Sequence, residues 1–206
     1  MRQQYKNIIF DLGGVLFNID YHRPVQAFAA LGYEGFEAMY SQAAANPLFE
    51  KLETGHISNQ DFFEAMKQLA PQPVSTEQIQ EAWNSILLGF RLPSMQYLLQ
   101  LQQHYQLYLL SNTNAIHLIQ IQDFCQKQTG LNSLDDFFTK AWYSNRVGLR
   151  KPNEDIYQFV LQDGGLLAQE TLFIDDSAQN TVAAERLGIH SHLLKPNERI
   201  EALGLI

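Results

Sequence analysis

Short apolar runs that alternate with helical patterns are the feature that most limits how this chain can fold. Four runs have the length and flanking residues of buried strands, and they cover residues 7–10, 107–110, 171–174 and 191–194. Apolar residues at helical spacing fill the segments 116–128, 155–162 and 178–187. Strands that alternate with helices imply crossover connections and a mainly parallel sheet. We therefore predict an α/β fold with a Rossmann-like, three-layer core.

The region from about residue 20 to residue 91 has a different pattern, with no convincing buried strand. Its apolar residues recur at helical spacing, as in the series Ile79, Ala82, Trp83, Ile86 and Leu87. Two pairs resemble capping boxes at helix starts, namely Ser58 with Asp61 and Ser75 with Gln78. We predict an all-helical cap at 18–91, inserted into an α/β hydrolase core formed by 1–17 and 92–206.

Charge and cysteine content exclude several classes of protein. The chain has 206 residues and a formal net charge of −8, which disfavours binding to nucleic acid or to a membrane surface. Its single cysteine, Cys125, cannot close an internal disulfide, as is typical of a reducing compartment. Residues 1–17 are basic and then apolar, but Asp11 interrupts the apolar run, so we expect no signal peptide. These features predict a cytoplasmic protein whose oligomeric state is open.

Reactive polar side chains follow the predicted strands or sit in the loops beside them. The four segments concerned are 10–15, 109–114, 148–152 and 173–177. In open parallel sheets, ligands bind at the carboxyl ends of the strands, so these segments are expected to meet. Each has a structural explanation when taken alone, because Asp, Ser and Asn after a strand commonly form turns or cap helices.

Taken together, the segments predict a phosphoryl-transfer site. Asp11, Asp175 and Asp176 would repel one another at one sheet edge unless a cation lay among them, and oxygen ligands suit Mg²⁺. Lys151 would balance the remaining charge, and Ser111 would hold phosphate oxygens. A carboxylate fixed beside Mg²⁺ can attack phosphorus in line and form a covalent intermediate.

In order and spacing, the four segments resemble the motifs of the haloacid dehalogenase-like hydrolase superfamily, whose members are mostly phosphatases. The resemblance implies catalytic roles for Asp11, Ser111 and Lys151, with Asp11 as the nucleophile. It implies substrate contacts by Ser111, Asn112 and Lys151. The metal ligands that it implies are Asp11, the backbone carbonyl of Gly13, Asp176 and, through a water molecule, Asp175.

One position departs from the usual pattern of these phosphatases. They have a second aspartate two residues after the nucleophile, as general acid and base, and here that position is Gly13. Such help is commonly worth ~10²–10⁴-fold in rate. The run 11–15 resembles a subgroup close to sugar-1-phosphate phosphatases and the N-terminal domain of epoxide hydrolases. Asp20 and His22 are candidate proton relays, and Arg23 is a candidate ligand for a sugar hydroxyl or phosphate.

The function predicted from these residues is Mg²⁺-dependent hydrolysis of small phosphomonoesters, including sugar phosphates, through an aspartyl-phosphate on Asp11. A metal-independent 2-haloacid dehalogenase is the first alternative, which the acidic pair Asp175 and Asp176 disfavours. The second alternative is a catalytically weakened binding protein, which Gly13 favours. His190 and His192 lack further ligands nearby and are interpreted as packing residues rather than a metal site.

Overall fold

A five-stranded parallel sheet forms the centre of the molecule, whose computed structural model describes residues 5–40 and 46–206. The strands are β1 (Asn7–Phe10), β2 (Phe17–Ile19), β3 (Leu87–Phe90), β4 (Gln106–Ser111), β5 (Lys140–Tyr143), β6 (Thr171–Asp175) and β7 (His190–Leu193). Five of them form the sheet, in the order β5-β4-β1-β6-β7, and β2 pairs with β3 in an antiparallel ribbon. The predicted parallel sheet is confirmed.

Helices cover both faces of this sheet. The helices are α1 (His22–Ala30), α2 (Phe36–Met39), α3 (Pro47–Glu53), α4 (Asn59–Leu69), α5 (Thr76–Asn84), α6 (Leu92–Leu101), α7 (Ala115–Thr129), α8 (Ser144–Val147), α9 (Glu154–Gly164) and α10 (Ala178–Arg186). Alternate residues of β1 point to opposite faces, so Ile8 and Phe10 pack with Leu98 of α6, whereas Ile9 packs with Ile156 of α9. The three-layer core is therefore confirmed. Within the described ranges, the helices are too short or too polar to cross a membrane.

The helices α1 to α5 enclose an apolar cluster of their own. Its centre is aromatic, with the ring of Trp83 stacked 5.2 Å from that of Phe49 and tilted 5.5 Å from that of Phe62. Ser58 and Ser75 each form the capping box that the sequence indicates, at the starts of α4 and α5. We propose this segment, residues 18–91, as the cap.

Three strands escaped the sequence analysis, namely β2, β3 and β5. Leu87 continues the helical spacing of the residues before it, but α5 ends at Asn84 and residues 87–90 pair instead with β2. The segment expected to be all-helical therefore also contains strand residues at both ends, and this ribbon connects the sheet to the helices. The edge strand β5 has only four residues and begins at exposed Lys140, so it lacks the apolar run by which the other strands were recognised.

A buried histidine lies where the cap meets the core. His117, in the first turn of α7, stacks on Trp83 of α5 with ring centroids 4.7 Å apart. Its Nε2 lies 3.2 Å from the carbonyl oxygen of Trp83, and its Nδ1 lies 3.1 Å from Nδ2 of Asn114. Burial lowers the pKa of His117 from 6.5 to about 4, because the charged imidazolium would lose its hydration.

We expect this histidine to make the fold less stable in acid. Between pH 6.5 and pH 4, His117 is protonated in the unfolded chain but stays neutral in the folded protein. The contribution of His117 to the free energy of unfolding is therefore complete above pH 6.5 and falls by about 3 kcal/mol towards pH 4. The difference in free energy of unfolding between wild type and His117→Gln, measured by urea denaturation, should shrink by that amount over this window. His22→Gln, at an exposed position, is the control and should follow wild type. An unchanged difference across the window would contradict the prediction.

Candidate active site

The four predicted segments converge on one cavity of about 150 Å³ between the sheet and the cap. The predicted residues that line it are Asp11, Gly13, Ser111, Asn112, Lys151 and Asp176. Asp11 follows β1, Ser111 ends β4 and Asp176 follows β6, and these three strands are neighbours in the sheet. The parallel arrangement thus places residues 65 to 165 positions apart in one wall, as expected at the carboxyl edge of such a sheet.

Lys151 is the central cation of the cavity, although it is a fully buried lysine with 1% of its surface exposed. Its Nζ donates to Oδ1 of Asp11 at 2.6 Å, to Oδ2 of Asp175 at 2.7 Å and to the carbonyl of Leu110 at 2.9 Å. All three ammonium protons are therefore used. Burial by itself lowers the pKa of Lys151, but the two carboxylates outweigh it and raise that pKa above its usual range.

Three carboxylates surround this lysine. One oxygen each from Asp11, Asp175 and Asp176 lies within 4.8 Å of the others. Burial raises the pKa of Asp11, and the charges of Asp175 and Asp176 raise it further, against the opposing effect of Lys151. Burial and Asp175 likewise raise the pKa of Asp176. The single lysine leaves excess negative charge, and a hard divalent cation with oxygen ligands fits this donor set.

Protein donors occupy both carboxylate oxygens of Asp175. Oδ1 accepts from the backbone nitrogen of Ser177 at 2.8 Å and from Nδ2 of Asn180 at 3.0 Å. Oδ2 accepts from Lys151 at 2.7 Å and from Asn180 at 3.0 Å. Its side chain is fully buried. This environment is compatible with the indirect metal contact predicted for Asp175, which stays a prediction.

The glycine pair after Asp11 brings the backbone close to these acids. Gly14 has φ +73°, and a Cβ built on it would overlap the carboxylate of Asp176. Only glycine therefore fits at position 14. At Gly13 a Cβ would lie 3.0 Å from Cδ1 of Ile19, so this apolar side chain crowds the position where the resemblance leads one to expect an acid.

Ser111 and Asn112 have different surroundings in the cavity wall. The hydroxyl of Ser111 is buried, and its hydrogen bond to the carbonyl of Asn112 is long, at 3.5 Å. The Asn112 amide instead pairs with the backbone of Lys151 in both directions, at 2.8 Å and 2.9 Å. Asn112 therefore positions the lysine loop, and its predicted contact with substrate stays a prediction.

The candidates at the entrance to the cap lie away from this wall. Asp20 accepts a hydrogen bond from the backbone of His22 at 2.9 Å, and Arg23 lies 3.9 Å from Asp20. The side chains of His22 and Arg23 are exposed, and none of the three is among the described residues that line the cavity. The structure therefore does not bring Arg23, Asp20 or His22 to the cavity and gives no support to the roles considered for them.

The cap supplies polar residues that the sequence analysis missed. Tyr21, Tyr40 and Glu53 line the cavity, and Arg150 of the core joins them. Burial raises the pKa of Glu53, and the charge of Arg150 opposes this increase. Burial also raises the pKa of Tyr21, with further contributions from Glu53 and Asp176. No sequence pattern distinguishes such residues, because their proximity exists only after the cap packs on the core.

Comparisons with known proteins give the family of this chain. Residues 5–188 match the haloacid dehalogenase-like hydrolase family. A D-ribitol-5-phosphate phosphatase from Bacteroides thetaiotaomicron is 31% identical over 188 residues, which cover 90% of each chain.

Two solved structures have the same fold over nearly their whole length. A crystal structure of a haloacid dehalogenase family enzyme from Bacteroides thetaiotaomicron, in complex with magnesium and inorganic phosphate, has a TM-score of 0.86 at 33% identity, covering 97% of this chain and 99% of that one. A predicted hydrolase of the same family from Porphyromonas gingivalis has a TM-score of 0.88 at 33% identity, covering 97% and 96%. The chain therefore belongs to the haloacid dehalogenase-like hydrolase family.

Proposed function

We propose that this protein is an Mg²⁺-dependent phosphatase that hydrolyses small phosphomonoesters through an aspartyl-phosphate on Asp11. The observation that carries the proposal is the shared lysine, whose Nζ lies 2.6 Å from Asp11 and 2.7 Å from Asp175 at the wall of the cavity. This contact fixes an oxygen of Asp11 in the cavity wall, and it places a positive charge next to the position where a phosphate group would bind. The similarity to a named phosphatase supports the same conclusion.

The residues that would hold Mg²⁺ are Asp11, Asp176, the carbonyl of Gly13 and, through water, Asp175. Their oxygen-only chemistry fits the ion, as does the excess of three clustered carboxylates over one lysine. When bound, Mg²⁺ supplies charge neutralisation for the phosphoryl group as negative charge builds up. A relative of 33% identity was solved in complex with magnesium and inorganic phosphate, which supports Mg²⁺ as the ion.

The covalent step is carried by Asp11. Its carboxylate oxygen forms a bond to phosphorus as the bond from phosphorus to the leaving oxygen breaks, and the leaving oxygen takes a proton from solvent water and departs as an alcohol. Water then attacks the aspartyl-phosphate, which releases inorganic phosphate and restores Asp11. Ser111 holds a phosphoryl oxygen through its hydroxyl donor, and the positive charge of Lys151 offsets the negative charge of the phosphoryl group. With glycine at position 13 and Ile19 beside it, we expect the second step to be slow.

The proposed partner is a small phosphorylated metabolite. One water molecule needs about 10–15 Å³ of cavity volume, so a cavity of about 150 Å³ holds roughly ten water-sized groups. A sugar or sugar-alcohol phosphate is of this size. We also propose a cytoplasmic location, which the buried free thiol of Cys125 supports.

Metal dependence and substrate class are tested together. We expect phosphate release from a panel of phosphomonoesters with Mg²⁺, and a fall of about 100-fold or more when EDTA removes the ion. Restoring Mg²⁺ in excess should recover the rate and serves as the control. Release of halide from 2-chloropropionate without metal would instead select a dehalogenase. Binding of phosphate esters with neither reaction would select a binding protein.

A further inference from the structure

A second polar cluster lies on the cap side of the cavity, away from the carboxylates at the sheet edge. Glu53 ends α3 and is 5% exposed, and the hydroxyl of Tyr40 donates to its Oε1 at 3.3 Å. Nη2 of Arg150 lies 3.0 Å from Oε2 of Glu53, which joins the cap to the core. Burying a carboxylate is costly unless it is well paired, so this placement requires an explanation.

The pairing of Glu53 with Arg150 is incomplete. Nη2 of Arg150 lies at ion-pair distance from Oε2 of Glu53 but without the angles of a hydrogen bond. Within the described ranges, this oxygen and Nε of Arg150 are therefore both buried without a hydrogen-bond partner. An ionised carboxylate only accepts hydrogen bonds, and a guanidinium only donates them. The cluster therefore presents one unused acceptor and one unused donor beside the cavity. A hydroxyl group both donates and accepts, so one hydroxyl satisfies the two together.

We propose that Glu53 and Arg150 form a hydroxyl-recognition subsite, and that the favoured substrates are phosphomonoesters of a polyhydroxylated leaving group. This inference rests on the proposed phosphatase function and names its substrate class. Tyr40 is a positioning residue, because its hydrogen bond holds the Glu53 carboxylate in place. An ion pair that merely fastened the cap would gain nothing from buried donors and acceptors left unused, since these lower stability.

The test compares two esters that differ only in hydroxyl groups, D-ribitol 5-phosphate and n-pentyl phosphate. We expect wild type to have the higher kcat/KM for the ribitol ester. Glu53→Gln should reduce the ratio of the two kcat/KM values about 10- to 100-fold, the usual effect of a hydrogen bond to a charged group. Arg150→Lys removes Nε but keeps the charge and should lower the ratio as well. Glu50→Gln, exposed on the same helix, should leave it unchanged.

Two results would overturn the inference while leaving the phosphatase proposal in place. One is a wild type that hydrolyses both esters with equal kcat/KM. The other is an equal loss for both esters in Glu53→Gln and Arg150→Lys, which is the result expected of a purely structural ion pair. Failure of wild type to hydrolyse these esters or p-nitrophenyl phosphate with Mg²⁺ would instead reject the phosphatase proposal and the subsite with it.

Discussion

Asp11→Asn is expected to abolish phosphate release, with kcat lower than that of wild type by about four orders of magnitude or more. The asparagine amide is a poor nucleophile, so the covalent step has no substitute route. Rapid acid quench of wild type during turnover should trap a species heavier by one phosphoryl group, on the peptide that contains Asp11. The slow second step expected beside Gly13 favours accumulation of this species.

The matched control is Asp123→Asn, which removes a partly exposed aspartate that pairs with Lys127 at 2.7 Å on α7. It should retain wild-type turnover, because Asp123 is not among the described residues that line the cavity. Full activity in Asp11→Asn, or trapped phosphate on a different residue, would show that the mechanism is wrong.

Lys151→Met is expected to lower the free energy of unfolding by about 3–5 kcal/mol when Mg²⁺ is absent. The methionine fills similar space, but Asp11 and Asp175 lose the ammonium that lies 2.6 Å and 2.7 Å from them. A buried carboxylate without its counter-charge must be protonated or hydrated, and both are costly. Urea denaturation in EDTA measures the loss, and turnover with Mg²⁺ should be abolished in the same variant.

Lys140→Met is the control for the lysine at the cavity. Lys140 also pairs with an aspartate at 2.7 Å, but both side chains are substantially exposed, so solvent screens the pair and the loss should be small. The double variant Asp11→Asn with Lys151→Met should lose less than the sum of the two single variants, because the first change removes one of the charges that the second leaves unpaired. Equal losses in Lys151→Met and Lys140→Met would contradict the interpretation of Lys151 as the essential counter-charge.

The sequence was sufficient to predict that the reactive residues meet at one site, because the sheet is parallel. Asp11, Ser111 and Asp176 are far apart in the chain, but each stands at the carboxyl end of a strand, and those ends share one edge. Apolar runs were enough to find four of the five sheet strands, since buried strands in such sheets are almost continuously apolar. The sequence predicts Lys151 as the charge that balances these carboxylates, and its complete burial was found only in the structure.

Side chains that meet through packing of the cap were beyond prediction from sequence. Nothing in the sequence distinguishes Glu53 from other polar residues at the end of a helix. Its proximity to Arg150 depends on how α3 packs on the core loop. Arg23 shows the opposite case, a residue that is near the first motif in sequence but not near the cavity in space. Its side chain is exposed and is not among the described residues that line the cavity. Distance along the chain indicates little about neighbours in space once a subdomain intervenes.

The loop that carries Arg150 and Lys151 has a mechanical consequence. Consecutive residues of this loop contact different parts of the protein, with Arg150 paired to Glu53 on the cap and Lys151 paired to the nucleophile. A movement that separated α3 from the core would break the first pair, one peptide unit away from the second. The contact between cap and core and the ammonium beside Asp11 thus depend on the same short segment of chain.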